Sequence, residues 1–366
     1  MRRELSIAIL GTRGIPNRYG GFEACAEELG IRLEKRGHTV SVYCEATHPV
    51  KDRSWEGINR IMMRYPGQHS GTLGQFFYDL ACNLDSRKRN FDIILHLGYT
   101  SDSIWYPLWS RKSRHLVNMD GMEWKRSKYN LPTRKFLKAA EKMATKRASA
   151  LIADNQGIAD YLKDKYTRPM ALIPYGAEIP TDIDPQEIKK FGMKVGQYDL
   201  IVARTEPENH IETAIKAKIA TNDDIPLLII SNKNTYWEQL KKTYGLDMKI
   251  VFHGPEYDKS SLHALRKHAR YYIHGDSVGG TNPSLLEAMA CSCNILAHNN
   301  PFNHAVTGDQ ALYFNNETEL IQLLGKHPAD ELVTWRKKNI QKIRDIYNWE
   351  LITDAYEQIF ISTLHH

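Results

Sequence analysis

Short apolar runs alternate with helix-patterned stretches along this chain, and they do so in two separate series. The first series holds Leu5-Ser-Ile-Ala-Ile-Leu-Gly11, His38-Thr-Val-Ser-Val-Tyr-Cys44, Asp92-Ile-Ile-Leu-His96, Arg114-His-Leu-Val-Asn118 and Ala150-Leu-Ile-Ala153. Runs this short and continuous suit strands buried on both faces of a parallel sheet. Between the first two, a helix is predicted from about Phe22 to Arg36, stopping at Gly37, a residue suited to ending helices. The second series holds Tyr198-Asp-Leu-Ile-Val-Ala-Arg204, Pro226-Leu-Leu-Ile-Ile-Ser231, Met248-Lys-Ile-Val-Phe252, Arg270-Tyr-Tyr-Ile-His274 and Cys293-Asn-Ile-Leu-Ala297. Residues 173–185, Ile-Pro-Tyr-Gly-Ala-Glu-Ile-Pro-Thr-Asp-Ile-Asp-Pro, are rich in proline and acid and read as a linker. The fold class is therefore α/β, with two doubly wound domains and ligands expected in a cleft at the carboxyl ends of the strands. A length of 366 residues agrees, because single cores stop growing at roughly 250–300 residues.

Composition narrows the partners. Hydrophobic residues make up 42% and charged residues 25%, ordinary for a globular chain, and no run approaches the ~20 apolar residues of a membrane span. The N-terminus runs from Met1-Arg2-Arg3 straight into a strand-like segment and lacks the pattern of a secretory leader, so a cytoplasmic protein is expected. Cys25, Cys44, Cys82, Cys291 and Cys293 form an odd set and read as free thiols in a reducing compartment. Cys291-Ser-Cys293 has no partner at metal-ligand spacing and reads as small buried residues at a helix end. The net charge of +6 is modest, but Lys125, Arg126, Lys128, Arg134, Lys135, Lys138, Lys142, Lys146 and Arg147 face only Glu141 between Lys125 and Arg147. Phe136, Leu137, Ala140 and Met143 recur among them at helical spacing, as on a helix lying on anionic lipid or on an ordinary solvated face. No aromatic-interleaved basic motif or finger spacing points to nucleic acid.

Three segments carry chemistry. Gly279-Gly280-Thr281-Asn282-Pro283 follows one predicted strand and opens a helix at Ser284-Leu-Leu-Glu-Ala-Met-Ala290. Glycines let backbone approach a ligand closely, and a helix N-terminus offers N–H groups to phosphate, while Glu287 lies one turn in, where it can accept from hydroxyls. The loop Gly11-Thr-Arg-Gly-Ile-Pro-Asn-Arg-Tyr-Gly20-Gly21 repeats that logic in the first domain and is not the dinucleotide GxGxxG. Arg204 ends a strand where a fixed cation can neutralise a diphosphate or form a surface ion pair. Asp182-Ile-Asp184 could hold a metal, but its place in the linker favours a turn or helix cap.

With Glu287-Ala-Met289, Arg204 and Gly20-Gly21 in hand, the chain resembles the retaining glycosyltransferases of the large GT4 family. That resemblance implies the GT-B fold, two Rossmann-like domains facing a central cleft. It divides the chain into an acceptor-side domain over 1–178, a nucleotide-sugar-binding domain over 179–345 and a C-terminal helix over 346–366 that crosses back. The family pattern is Glu, seven residues, Glu, with the second Glu on the nucleotide ribose. Glu287 matches that second Glu, but Gly279 stands at the first, which in the family contacts donor-sugar hydroxyls. Arg204 matches the family's diphosphate Arg, whereas the Lys five positions later is Asn209, preceded by Glu208; both are carried as candidate donor contacts. Gly11 to Glu23, Asn118-Met-Asp-Gly-Met-Glu-Trp-Lys-Arg126, Ala203 to Asn209 and Val278 to Glu287 together resemble a subgroup with a DUF1972-type first domain. That subgroup includes bacterial β-1,4-rhamnosyltransferases of polysaccharide assembly.

What the resemblance implies can be stated residue by residue. A His in the wider family is replaced here by Asp120, which is expected to act as general base or to stabilise an oxocarbenium-like transition state, with Glu123 as the alternative. Arg204, the N–H groups of Gly280 and Thr281, Asn282 and the Gly20-Gly21 loop are expected to hold the leaving diphosphate without metal. His96, Tyr99, Asn118 and Trp124 are expected on the acceptor side or in the core. No cofactor is expected; dTDP-L-rhamnose is the expected donor co-substrate, with a lipid-diphosphate-linked sugar as acceptor on the inner face of the membrane. A GDP- or UDP-sugar donor, or an inactive sugar-nucleotide-binding protein, are the alternatives.

Overall fold

The computed structural model describes residues 3–68, 70–125, 129–168, 170–326 and 328–365. Two compact units emerge: Met1–Tyr175 with Trp349–His366, and Gly176–Asn348.

The first unit is built on an eight-stranded sheet of order β3-β4-β2-β1-β5-β6-β7-β8. Its strands are β1 (Ser6–Leu10), β2 (Thr39–Glu45), β3 (Ser54–Trp55), β4 (Ile58–Met63), β5 (Ile93–Leu97), β6 (Arg114–Asn118), β7 (Ala150–Ala153) and β8 (Met170–Leu172). Helices α1 (Gly21–Lys35), α2 (Thr72–Ser86), α3 (Leu131–Arg147) and α4 (Gln156–Lys165) connect them. All pairings are parallel except β3 with β4. Every residue of β5 is buried, as its unbroken apolar run requires. The sheet order reverses between β2-β1 and β1-β5, so β1 stands at the switch point where α/β sheets receive ligands.

The second unit carries a six-stranded, all-parallel sheet of order β11-β10-β9-β12-β13-β14. Its strands are β9 (Asp199–Val202), β10 (Leu227–Ile230), β11 (Ile250–His253), β12 (Tyr271–His274), β13 (Ile295–His298) and β14 (Leu312–Phe314). Around it lie α5 (Ile211–Ala220), α6 (Thr235–Tyr244), α7 (Lys259–His268), α8 (Pro283–Ala290), α9 (Pro301–Thr307), α10 (Glu317–Leu324) and α11 (Glu331–Asp345). Leu227, Ile229, Leu296, Phe314 and Leu320 form the centre of one core on this sheet. Asp184, second acid of the linker's Asp-Ile-Asp, accepts from the Gln186 N–H at 2.8 Å and starts a 3-10 helix, so it works as a cap. All five cysteines are free and buried, with Cys291 just past the end of α8.

The last helix, α12 (Trp349–Leu364), belongs to the first unit and packs on α1. Tyr356 and Phe360 supply its apolar face. Arg36 completes the joint, reaching Asp354 at 2.6 Å, Glu350 at 2.9 Å and Glu357 at 3.0 Å.

Candidate donor and acceptor sites

In the second domain β9 and β12 are parallel neighbours, so the residues that follow them share one edge of the sheet. Arg204 follows β9 with an exposed side chain that forms no ion pair with the described residues. Asn209 donates its Nδ2–H to the Arg204 carbonyl at 2.9 Å. Glu208 is buried, and its carbonyl accepts both the N–H and the hydroxyl of Ser277, at 3.0 and 2.9 Å. Asn209 therefore closes the loop after β9 on itself, and Glu208 ties that loop to the one after β12. The close approach of the two loops needs Gly275, because a Cβ there would stand 2.2 Å from the Asn209 carbonyl oxygen.

Gly279 has φ +147°, a backbone that side-chain-bearing residues rarely adopt. A glutamate at this position would be strained in that backbone. Gly280 is half-buried and Thr281 buried just ahead of α8. Asn282 caps that helix, its Oδ1 accepting from the Ser284 N–H at 2.9 Å while its Nδ2 donates to Asp276 at 2.7 Å. Ser284 in turn donates to the Val202 carbonyl at 2.8 Å, anchoring the helix start beside the end of β9. Glu287 is half-buried one turn further in, its carboxylate paired with the guanidinium of Arg266. The edge thus presents one unpaired cation, a capped helix N-terminus and a carboxylate, the combination that holds a diphosphate next to a hydroxylated ring.

In the first domain β1, β5, β6 and β7 are consecutive in the sheet and parallel, so Gly11, Gly98, Asp120 and Asp154 lie along one edge. Asp120 takes φ +48°, a left-handed conformation that Asp and Asn tolerate best among side-chain-bearing residues. Its N–H donates to the Asn118 side chain at 2.9 Å, and the residue is half-buried. Burial, and then the nearby Asp120 charge, raise the Tyr175 hydroxyl pKa well above its usual value. Glu123 is buried in the 3-10 turn Glu123–Lys125. The next residue, Trp124, donates its ring N–H to Glu141 at 3.1 Å, and Glu141 also takes Lys165 at 2.7 Å and Tyr166 at 2.9 Å. The Asp-Gly-Met-Glu-Trp motif is therefore held by a carboxylate of α3. Arg126 and Lys128, which extend the motif and the basic stretch, lie outside the described residues.

Two sequence expectations change meaning here. His96, Tyr99 and Asn118 are core groups beneath this edge, each 1% exposed or less. His96 and His115 both stack on Trp109, with ring centroids 4.4 and 4.8 Å away; His96 Nε2 bonds His115 Nδ1 at 2.8 Å, and its Nδ1 lies 2.8 Å from Asp102. Burial lowers the pKa of His115 to about 3, so it is neutral and donates from Nε2 to the Ser110 carbonyl. The Gly11-to-Gly21 loop also differs from a free phosphate cradle. Its Arg13 N–H donates to Glu23 at 2.8 Å and its Asn17 N–H to Glu27 at 2.5 Å. A Cβ on Gly20 would sit 3.7 Å from a Glu23 carboxylate oxygen, so this acid of α1 lies close to Gly20. Both acids were visible in the sequence, but only the helix periodicity combined with the fold of the loop brings them there.

Comparison with known proteins bears on both domains. Residues 4–178 match the family described as a domain of unknown function, DUF1972, and residues 185–322 match the glycosyl transferases group 1 family. No curated protein resembles the chain closely enough to count as a match. Among solved structures, sucrose-phosphate synthase from Thermosynechococcus elongatus superposes with a TM-score of 0.83 at 15% identity, covering 99% of this chain and 100% of that one. WaaG, a glycosyltransferase of lipopolysaccharide biosynthesis, gives 0.73 at 15% identity over 97% and 99%. HepE of Anabaena in complex with UDP-glucose gives 0.73 at 13% identity over 98% of each chain. The fold is GT-B, with two α/β domains on parallel sheets. Carrying a group 1 domain on that fold, the chain is a glycosyltransferase.

Proposed function

We propose that this enzyme uses a nucleotide-sugar donor of the dTDP-L-rhamnose type and transfers its sugar, with retention, to a saccharide on a lipid diphosphate in cell-surface polysaccharide assembly. The observation that carries the reading is the edge of the second domain, where unpaired Arg204 and the capped start of α8 flank Gly279. The acceptor O–H attacks the anomeric carbon as the bond from that carbon to the diphosphate breaks, and the hydroxyl proton passes to Asp120. Arg204 and the N–H groups at Gly280 and Thr281 take up the charge of the leaving nucleoside diphosphate. Gly279 supports a deoxysugar, because no carboxylate stands there to hold a hexose hydroxyl. HepE, described in complex with UDP-glucose, makes a UDP-sugar the competing donor.

The test is a transfer assay read by mass spectrometry, with dTDP-L-rhamnose, UDP-glucose and a GDP-sugar offered against a synthetic lipid-diphosphate saccharide. Rhamnosyl product should dominate and persist in EDTA. Preferred use of UDP-glucose, or loss of activity on chelation, overturns the donor or the metal-free mechanism respectively. Among the described residues no three His, Cys, Asp or Glu side chains gather as a metal cage.

A peripheral position on the inner face of the membrane is part of the proposal. Among the described residues no helix is long and apolar enough to cross a membrane. On α3 the side chains of Lys135, Lys138, Lys142 and Lys146 are exposed beside Leu131, 72% exposed, and Phe136. Phe136 meets Phe76 of α2 edge-on at 5.7 Å, and α2 adds exposed Leu73 and Phe77. Exposed apolar groups ringed by lysine suit an anionic bilayer surface, at roughly 1 kcal/mol per basic residue. Reversing Lys135, Lys138 and Lys142 to Glu should abolish sedimentation with phosphatidylglycerol vesicles at low salt. Equal sedimentation of wild type and triple variant would refute the membrane surface.

A further inference from the structure

Arg266 lies on α7, next to α8, and is only 2% exposed. Its guanidinium pairs with Oε2 of Glu287, and its Nη2 also reaches the Ser284 hydroxyl at 3.4 Å. Ser284 is the residue that ties the start of α8 to β9. Among the described residues Arg266 forms no other ion pair, and Glu287 Oε1 accepts no hydrogen bond. The Glu287 side chain is 37% exposed while its partner is sealed beneath it. One oxygen of the carboxylate is therefore committed to the protein and the other is available to a ligand.

A free carboxylate engages a pair of neighbouring hydroxyls with both oxygens at once. A carboxylate pinned by a buried Arg has one oxygen left for a strong hydrogen bond and a fixed orientation in which to make it. We infer that the Arg266–Glu287 pair reads a single hydroxyl of the donor's pentose, so that this site accepts a 2′-deoxyribose nucleoside diphosphate as readily as its ribose counterpart. The inference rests on the proposed placement of the donor at Glu287. It names the feature of the nucleotide that the site leaves unread, the 2′ position, independently of the base and of the transferred sugar.

UDP and 2′-deoxy-UDP differ only at that position, which makes them the probes. Titration calorimetry with the whole enzyme should give dissociation constants within about threefold of each other, less than the loss of one hydrogen bond to a charged group. Arg266→Met frees the second oxygen. It should weaken deoxy-UDP and tilt the ratio towards UDP, a change that loss of packing alone would not make. Glu287→Gln should weaken both nucleotides alike. A wild-type preference for UDP of more than about tenfold would mean that both hydroxyls are read, and would overturn the inference while leaving the donor site intact. Failure of both nucleotides to bind would overturn the placement of the donor and the inference together. The wild-type comparison decides the matter even if Arg266→Met does not fold.

Discussion

Asp120→Asn should lower the turnover number by about 10²–10⁴-fold, the usual weight of a positioned general base, while leaving donor affinity unchanged. Asparagine is the informative replacement for a geometric reason. Asp120 sits at φ +48°, and of the side-chain-bearing residues Asn accepts that conformation as well as Asp does. Alanine would add backbone strain to loss of the carboxylate and confuse the two. The N–H of residue 120 can still bond the Asn118 side chain, so the loop after β6 should keep its shape. Donor contacts are assigned to the second domain, which predicts a fall in kcat with little change in nucleotide Kd. A folded Asp120→Asn enzyme with full turnover would remove Asp120 from the mechanism and leave Glu123, on the turn held by Trp124 and Glu141, as the group to test.

The second large effect is on stability, at the opposite edge of the second sheet. Asp199, the first residue of β9, is 0% exposed and accepts from Arg270 Nε at 2.8 Å, from Arg270 Nη2 at 2.6 Å and from Lys218 at 3.1 Å. Lys218 is also 0% exposed and reaches Asp223 at 2.6 Å, while Arg270 reaches Asp223 at 3.1 Å. Two cations and two carboxylates thus close a balanced group at the amino ends of β9 and β12, away from the donor edge. Asp199→Asn leaves two buried cations with one carboxylate, and breaking a buried pair in this way costs about 3–5 kcal/mol. The urea midpoint of the second domain should fall accordingly, by circular dichroism, with the nucleotide site unchanged at low denaturant. A midpoint within error of wild type would show that water already reaches the group.

The same cluster gives a pH dependence with a defined sign. Burial alone would raise the pKa of Asp223, but Lys218 and Arg270 hold it below its usual 3.8. A folded pKa below the unfolded one stabilises above the unfolded pKa and is lost as pH falls through the folded value. The contribution of Asp223 is therefore intact above about pH 4 and disappears only in stronger acid.

Much of the architecture was legible from residue order. Arg114–Asn118 and Ala150–Ala153 are strands to the residue, and each of the other apolar runs overlaps one, with β2, β5, β11 and β13 reaching one residue further. Periodicity could find them because strands buried on both faces must be apolar throughout. It passed over β3, β8 and β14, which are only two or three residues long at sheet edges, and β4, whose apolar run is broken by Asn59 and Arg60. The chemistry-bearing loops were legible for a related reason: glycine, asparagine and proline mark the places where backbone approaches closely or a helix begins.

Side-chain pairing across the fold was not legible. Arg266 reads in the sequence as one more base in the last turn of α7, alongside Lys267 and His268, and its burial under α8 depends on how two helices far apart in the chain meet. Residue order left His96 open between the acceptor side and the core; it lies in the core, with aromatic and acidic neighbours that come from other segments. Glu23 and Glu27 turned inward to hold the loop before their own helix. Residue order by itself determined the two α/β domains and the positions of their loops, since those follow from local backbone rules and spacing, while the family resemblance singled out Asp120, Arg204 and Glu287 as candidates. Tertiary structure alone decided which charges are spent on the protein and which remain for a ligand, because that depends on distances between side chains that no local pattern encodes.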